Sequence, residues 1–176
     1  TIDSGSDIVT DLGGSSGSDS DVVVVDSGAT LNATGIKGFT ATSATQNNSS
    51  DANNAVLTAA DGSNVTISVA SATGSSKAFK LVGGTGQDSL TGGAGNDTIT
   101  ANAGTDTIDA GAGNDTITMG TNYTNADTIA GGEGTDTLSA TIAADITPTT
   151  LTGVEIISLN SNGARTLDLS SSSGVT

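Results

Sequence analysis

A nine-residue pattern repeats six times between residues 83 and 139, and it constrains the fold more than any other feature of the sequence. Successive copies read GGTGQDSLT, GGAGNDTIT, ANAGTDTID, AGAGNDTIT, MGTNYTNADTIA and GGEGTDTLS, of which the fifth carries a three-residue insertion. Each copy holds an aspartate followed two residues later by a branched aliphatic residue. A short fixed period is typical of a chain that coils, with each copy stacked on others.

The aliphatic residue of each copy is expected to point into the core. Side chains alternate between faces in an extended segment, so the small polar residues on either side of it should face outward. A three-residue strand that buries one side chain is not stable alone, whereas stacked copies bury a continuous ladder. The pattern therefore predicts a solenoid whose core contains Leu90, Ile99, Ile108, Ile117, Ile129 and Leu138.

The loops before these strands combine glycine with carboxylate. Glycine tolerates positive φ. We expect positive φ at Gly83, Gly84, Gly86, Gly92, Gly93, Gly95, Gly131, Gly132 and Gly134. Such turns bring carbonyl oxygens of stacked loops together, and the aspartates add negative oxygen at the same level. Oxygen-only ligands without histidine or cysteine suit a hard cation, and calcium tolerates irregular geometry better than magnesium. The loops therefore predict a ladder of calcium sites.

The repeat resembles the GGxGxDxUx signature of the RTX (repeats-in-toxin) family over about a third of the chain. The resemblance implies a right-handed parallel β-solenoid, a β-roll in which two nonapeptides make one turn and several Ca²⁺ ions bind. One row of sites would use Asp88, Asp106 and Asp127, and the other Asp97, Asp115 and Asp136. Carbonyl groups at the glycine positions, including Gly104, Gly111 and Gly113, would complete the sites.

Some copies depart from this signature. Ala101 and Ala110 replace glycines and should not adopt positive φ cheaply, whereas Asn102 and Asn125 can enter the left-handed region at modest cost. The fifth copy has lost the glycine motif and gained residues around Tyr123. We therefore expect the row through Asp97 to bind calcium better than the row through Asp88.

Stacked carboxylates predict that folding of the repeats depends on calcium. Two bare carboxylates on turns about 4.8 Å apart repel by roughly 3.5 kcal/mol at an effective dielectric near 20. Without cations, we expect this segment to be largely unfolded. Two alternatives are that the Asp and Gly residues only favour turns, or that the segment is disordered. Neither predicts the regular return of the aliphatic residue.

The flanking segments extend the β pattern. Residues 1–82 suggest an irregular β-solenoid that starts with degenerate copies of the repeat, in which Asp7, Asp19 and Asp21 are either further ligands or turn-formers. Residues 83–139 form the β-roll, and residues 140–176 add C-terminal strands. Strand candidates outside the repeats are 29–34, 36–42, 55–59, 64–70, 77–82, 154–159 and 165–169, with loops at 45–54 and 140–150. The chain reads as a fragment of a longer protein.

Composition limits the partners. Nineteen acidic residues against four basic ones give a formal charge of −15, which excludes direct binding to nucleic acid or to an anionic membrane. No apolar run reaches the ~18 residues of a membrane helix, so we expect no membrane insertion. Cysteine is absent, so disulfides do not stabilise the chain. Weak calcium sites fit an extracellular location, where calcium is millimolar.

The C-terminal stretch LTGVEIISLNSNGARTLDLSSSSGVT resembles segments of RTX-type bacterial surface-layer (S-layer) proteins. The resemblance implies a structural module at the bacterial cell surface that forms a lattice with copies of itself, with cell-surface polysaccharide as a candidate partner. The alternatives are the stalk or binding segment of a secreted adhesin, and the RTX module of a type I secreted enzyme or toxin. Without histidine or cysteine, we expect no catalysis by this chain.

Overall fold

The computed structural model describes residues 5–9, 23–25, 27, 29–41, 43–48, 55–74, 78–148, 150–161 and 163–175. Within these ranges the chain forms strands and no helix, and therefore no helix that could span a membrane. The strands are β1 (Gly5–Val9), β2 (Val24–Val25), β3 (Ala29–Ile36), β4 (Phe39–Thr40), β5 (Gln46–Asn47), β6 (Ala55–Ala59), β7 (Thr66–Ser68), β8 (Lys80–Val82), β9 (Ser89–Thr91), β10 (Thr98–Thr100), β11 (Thr107–Asp109), β12 (Thr116–Gly120), β13 (Thr128–Ala130), β14 (Thr137–Ile142), β15 (Leu151–Thr152) and β16 (Ile156–Ser161).

The strands assemble into parallel sheets that the chain visits in turn. One sheet has the order β1-β3-β6-β8-β10-β12-β14-β16 and a second has the order β15-β13-β11-β9-β7-β4, while β2 and β5 form a short third sheet. The chain thus winds through about six turns of a β-solenoid. The predicted all-β, parallel solenoid is confirmed. Both long sheets run across the expected boundary between residues 82 and 83.

The turns shorten where the repeats begin. Val56 pairs with Lys80, 24 residues later, and Thr73 within this turn forms a bridge to Gln46 of β5. Lys80 then pairs with Thr98, only 18 residues later, which is the length of two nonapeptides. The repeats therefore form the two-copy turn that the family resemblance implies. The inserted residues of the fifth copy lengthen the turn that contains them to 21 residues.

The aliphatic ladder forms the core of the repeats as predicted. Its six members are at most 1% exposed, and their neighbours on each strand are half-buried or exposed. Leu81 extends the ladder upstream in register with Ile99. The fifth copy contributes Met119 and Tyr123 to the same core. One aliphatic side chain per copy therefore fixes the register of each turn on the next.

Two expected loops are partly strand. The loop proposed for 45–54 contains β5, because Gln46 and Asn47 pair with β2, and residues 49–54 lie outside the described part. The loop proposed for 140–150 begins later than expected, because β14 continues to Ile142. Ala140 and Ile142 are both buried, so the alternation of the strand extends beyond the last repeat.

The C-terminal strands also differ from the prediction. The strand expected at 154–159 lies at Ile156–Ser161. The strand expected at 165–169 is reduced to a single bridge between Ile146 and Leu167. Each of the five candidates between residues 29 and 82 contains a strand.

Candidate metal centre

The six repeat aspartates occupy one structural position. Each directly precedes a strand and lies at the inner end of its loop, where it is no more than 2% exposed. Aspartate is rarely buried to this extent unless its charge is compensated. The loops therefore hold six buried carboxylates, namely Asp88, Asp97, Asp106, Asp115, Asp127 and Asp136.

Hydrogen bonds connect these carboxylates into two rows along the solenoid. In the second row, the backbone N–H of Asp97 donates to Oδ1 of Asp115 at 2.6 Å, and the N–H of Asp115 donates to Oδ1 of Asp136 at 2.8 Å. The first row repeats the arrangement from Asp88 through Asp106 to Asp127, at 2.9 Å for each bond. One oxygen of each later aspartate therefore caps the preceding turn, and the two rows contain the residues expected.

The hydrogen bonds of the second carboxylate oxygen differ among the copies. In the first row, Oδ2 of Asp88 accepts a hydrogen bond from the N–H of Gly84 at 2.7 Å. Oδ2 of Asp127 accepts from the N–H and the hydroxyl of Thr124, at 2.8 and 3.1 Å. Thr124 thus takes the place of the glycine amide in the fifth copy. Backbone and side-chain donors of the protein already satisfy both ends of this row.

The second row leaves two buried carboxylate oxygens without donors. Oδ2 of Asp97 accepts from the N–H of Gly93 at 2.6 Å. Oδ2 of Asp115 and Oδ2 of Asp136 have no hydrogen-bond partner among the described residues, although both aspartates are at most 1% exposed. A buried, unsatisfied charged oxygen costs several kcal/mol unless a cation compensates it. These two oxygens are the strongest structural sign of a metal site in the described residues.

The sign of the loop φ differs between copies whose second carboxylate oxygen has a donor and those in which it has none. Gly84 and Gly93, whose amides reach the carboxylates of their own copies, do not have positive φ. Gly111 and Gly132 occupy the equivalent position with φ of 101° and 109°, and their amides do not donate to Asp115 or Asp136. The left-handed conformation thus coincides with a free carboxylate oxygen.

The expectation of positive φ was wrong for most of the glycines named for it. Only Gly132 and Gly134 of those nine have positive φ; of the two asparagines that could enter the left-handed region, Asn102 does so with φ of 67° and Asn125 does not. Ala101 and Ala110 do not have positive φ either, so the expected backbone cost at these positions is also wrong. Their loop position does not demand a left-handed residue.

Close approach of the next turn explains several of the glycines. A Cβ on Gly92 would lie 2.5 Å from Oδ2 of Asp97 and against the carbonyl oxygen of Ala110. A Cβ on Gly131 would lie 2.7 Å from Oδ2 of Asp136 and against the carbonyl oxygen of Gly153. Carboxylate and carbonyl oxygens from consecutive turns therefore converge beside these residues.

Burial, together with repulsion between neighbouring carboxylates, raises the pKa values of the second-row aspartates. Burial raises the pKa of Asp115 to about 7, and the negative charges of Asp97 and Asp136 on the adjacent turns add to this effect. Burial likewise raises the pKa of Asp97 to about 6, even though two backbone amides stabilise its charge. The pKa of Asp136 is raised as well, by burial and by the charge of Glu155. The positive charge of a bound cation would offset this penalty.

The donor set fits calcium. No group of three or more carboxylate, histidine or cysteine side chains converges on one point in the described ranges, so an ion here would depend on backbone carbonyls in addition to carboxylates. The residues that would hold calcium along this row are Asp115, Asp97 with the carbonyl group of Ala110, and Asp136 with the carbonyl group of Gly153. All are hard oxygen donors, which calcium accepts in large and irregular numbers.

The other candidate ligands are placed less decisively. Glycines of both rows lie against carbonyl oxygens of the adjacent turn, and their role as ligands stays a prediction; they are Gly83, Gly84, Gly86, Gly104, Gly111, Gly113, Gly132 and Gly134. Gly93 supplies an amide, as described, and Gly95 supplies a carbonyl oxygen that lies close to Gly113. Asp7 lies within β1 and pairs with Leu31, whereas the ladder aspartates precede their strands. Asp19 and Asp21 lie outside the described residues.

Sequence reasoning missed one carboxylate of the second row. Oε2 of Glu155 accepts a hydrogen bond from the N–H of Asp136 at 2.8 Å, as each ladder aspartate does for the turn before it. Glu155 directly precedes β16, and Ile157 pairs with Leu138. The order Gly153, any, Glu155, any, Ile157 repeats that of the last copy with glutamate in place of aspartate. That substitution concealed the match.

Comparison with known proteins agrees with this geometry. Residues 82–117 and 123–146 match the family model of the RTX calcium-binding nonapeptide repeat, in four copies. No curated protein and no solved structure matches the chain. Sequence match and stacked loops together identify this segment as RTX calcium-binding nonapeptide repeats that form a β-solenoid.

Proposed function

We propose that this chain is a calcium-dependent structural module of a bacterial S-layer protein. Calcium would fold and stiffen the solenoid, and the stiffened solenoid would serve in lattice assembly. The observation that carries the calcium dependence is the pair of buried carboxylate oxygens without donors, Oδ2 of Asp115 and Oδ2 of Asp136. When bound, calcium supplies positive charge between carboxylates of neighbouring turns.

The energetic argument concerns the whole row. A typical domain is stable by about 5 to 15 kcal/mol. Each close pair of uncompensated carboxylates costs a sizeable part of that amount, and this chain stacks three on each side of the roll. The aliphatic ladder contributes one side chain per copy. Compensation of the charges by metal therefore decides whether the repeats fold.

Several features support a place outside the cell. RTX repeat proteins are typically secreted, and extracellular calcium is millimolar, which fills weak sites. The formal charge of −15 and the absence of cysteine suit a protein that relies on metal ions for its stability. The outward positions of the strands hold mostly threonine and serine, which tolerate both water and contacts with other proteins.

A structural role without catalysis is part of the proposal. The chain contains no histidine and no cysteine. Asp97 and Asp115, whose pKa values burial raises to about 6 and about 7, are accounted for as ligands. Lattice contacts would join copies of the chain, and cell-surface polysaccharide is a further partner that we propose.

The test is a calcium titration followed by imaging. Far-UV circular dichroism should report a β signal that grows with Ca²⁺ and is much weaker in excess chelator, while Mg²⁺ at the same ionic strength serves as the control. A full β signal in chelator would contradict calcium-dependent folding. Electron microscopy of the calcium-loaded protein should show two-dimensional sheets that dissolve when calcium is removed. Folded protein that stays monomeric at high concentration would favour the adhesin stalk over the lattice.

A further inference from the structure

The turn that follows the last repeat carries an acidic residue in the register of the ladder. The pairing of β14 with β16 aligns Leu138 with Ile157 and Thr137 with Ile156. Glu155 therefore lies opposite Asp136, one turn further along the second row. This turn lies outside the residues that match the family model, which end at 146.

The contacts of Glu155 reproduce those of a ladder aspartate. Its Oε2 accepts the N–H of Asp136 at 2.8 Å, and Oδ1 of Asp136 accepts the N–H of Asp115 at the same distance. The backbone of the same turn continues the stack, since the N–H of Ile156 donates to the carbonyl group of Asp136 at 2.9 Å. Glu155 is thus the fourth carboxylate of a row that begins at Asp97.

A second observation points to a ligand between these two turns. Oδ2 of Asp136 is buried, has no donor among the described residues, and lies beside Gly131. The carbonyl oxygen of Gly153, on the turn of Glu155, approaches the same side of Gly131. An unsatisfied carboxylate oxygen and a carbonyl oxygen from consecutive turns therefore meet next to the Glu155 turn.

We propose that Glu155 is a ligand of a further Ca²⁺ site, which lies between the Asp136 turn and the Glu155 turn and includes Asp136 and the carbonyl group of Gly153. This inference rests on the proposed calcium dependence and extends it by one turn beyond the matched repeats. This site is the last of the second row, and Glu155 supplies its carboxylate on the side away from the repeats.

The choice of glutamate has a structural reason. One residue separates Gly153 from Glu155, whereas four separate Gly131 from Asp136, so the loop before Glu155 is shorter. The additional methylene of glutamate lets the carboxylate reach the position that an aspartate reaches from the longer loop. A shorter loop also offers fewer carbonyl groups. We therefore expect this site to be the last of its row to fill.

The test compares two glutamate variants of the full chain. Glu155→Gln keeps an amide oxygen that can accept the N–H of Asp136 but loses the charge. Glu133→Gln makes the same chemical change in an exposed side chain of the adjacent repeat and is the matched control. Native mass spectrometry at saturating Ca²⁺ counts the bound ions. We expect Glu155→Gln to hold one ion fewer than wild type, and Glu133→Gln to hold the same number.

A measurement on the wild type removes dependence on the folding of the variant. Carbon-detected NMR follows the side-chain carboxyl resonance of Glu155 during a calcium titration, and we expect it to shift after the resonance of Asp115. An unchanged ion count in Glu155→Gln, or a Glu155 resonance that does not respond to Ca²⁺, overturns the inference. If wild type binds no calcium at all, the proposed function itself fails, and this outcome is distinct from the loss of a single site.

Discussion

Replacement of Asp115 by asparagine should affect the protein in opposite directions with and without calcium. Asparagine retains an oxygen that can accept the 2.6 Å hydrogen bond from the N–H of Asp97, and it removes the negative charge. In the absence of calcium this charge is a burden, because burial and the neighbouring charges of Asp97 and Asp136 raise the pKa of Asp115. In the presence of calcium, we expect the same charge to bind the ion.

The size of the calcium-free effect follows from the pKa. It rises from 3.8 to about 7, and each pKa unit corresponds to 1.36 kcal/mol, so the charged form is disfavoured by about 4 kcal/mol above pH 7. Solvent at the rim of the loop screens part of this interaction, and a reduction by half leaves roughly 2 kcal/mol. We expect Asp115→Asn to stabilise the calcium-free fold by about that amount at pH 8.

The calcium-bound protein should show the reverse. Loss of a ligand that lowers the affinity a hundredfold removes about 2.8 kcal/mol of the stabilisation that saturating calcium provides, which exceeds the roughly 2 kcal/mol gained in the absence of calcium. Urea unfolding at pH 8, followed by far-UV circular dichroism in chelator and in millimolar Ca²⁺, measures both effects. Trimethylamine N-oxide can be added to all samples to extend the folded baseline in chelator.

The control for this experiment is Asp109→Asn, which removes an exposed charge from β11. It should change the unfolding free energy by less than about 0.5 kcal/mol in either condition. If Asp115→Asn destabilises the calcium-free protein, or leaves the response to calcium unchanged, the assignment of Asp115 as a penalised, metal-compensated carboxylate is wrong.

Three further predictions concern the core, the loops and pH. Ile117→Ala should lower the unfolding free energy of the calcium-loaded protein by about 2 to 5 kcal/mol in urea titrations, because a fully buried member of the ladder is truncated; a change below 1 kcal/mol would refute its place in the core. Gly132→Ala should weaken calcium binding in isothermal titration calorimetry, since both its φ of 109° and the adjacent Gly111 carbonyl group oppose a Cβ. Gly62→Ala is the control for backbone strain alone, because Gly62 has φ of 73° and an added Cβ would have no other atom within 4 Å. The calcium-free protein should be more stable at pH 5 than at pH 8. Burial raises the pKa of Asp97 in the folded state to about 6, so protonation of Asp97 stabilises the fold fully below the unfolded pKa of 3.8, and this stabilisation is lost as the pH rises through 6. A urea midpoint that rises from pH 5 to pH 8 in chelator would contradict the burial penalty.

The sequence by itself determined that the chain winds into a solenoid and that its loops carry carboxylate oxygens. The return of an aliphatic residue two positions after each aspartate specified which side chains face inward, and the observed alternation follows it at Ile99, Ile108 and Ile117. Each strand is short, so its face is set by local alternation and not by distant contacts. Both aspartate rows were predictable for the same reason, because a position that recurs once in every copy stacks when two copies make each turn, even where the insertion lengthens a turn from 18 to 21 residues.

The tertiary structure decided which of these carboxylates have an oxygen without a donor among the described residues. Asp88 and Asp115 have the same place in the repeat, yet the Gly84 amide satisfies one and no described donor satisfies the second oxygen of the other. The difference depends on loop φ values, which glycine leaves undetermined because it accepts both signs. The role of Glu155 was equally hidden, since it follows from the pairing of β16 with β14 and not from its distance to the last aspartate. Local pattern fixed the rows, and packing of each loop on the next fixed where negative charge is left without a partner.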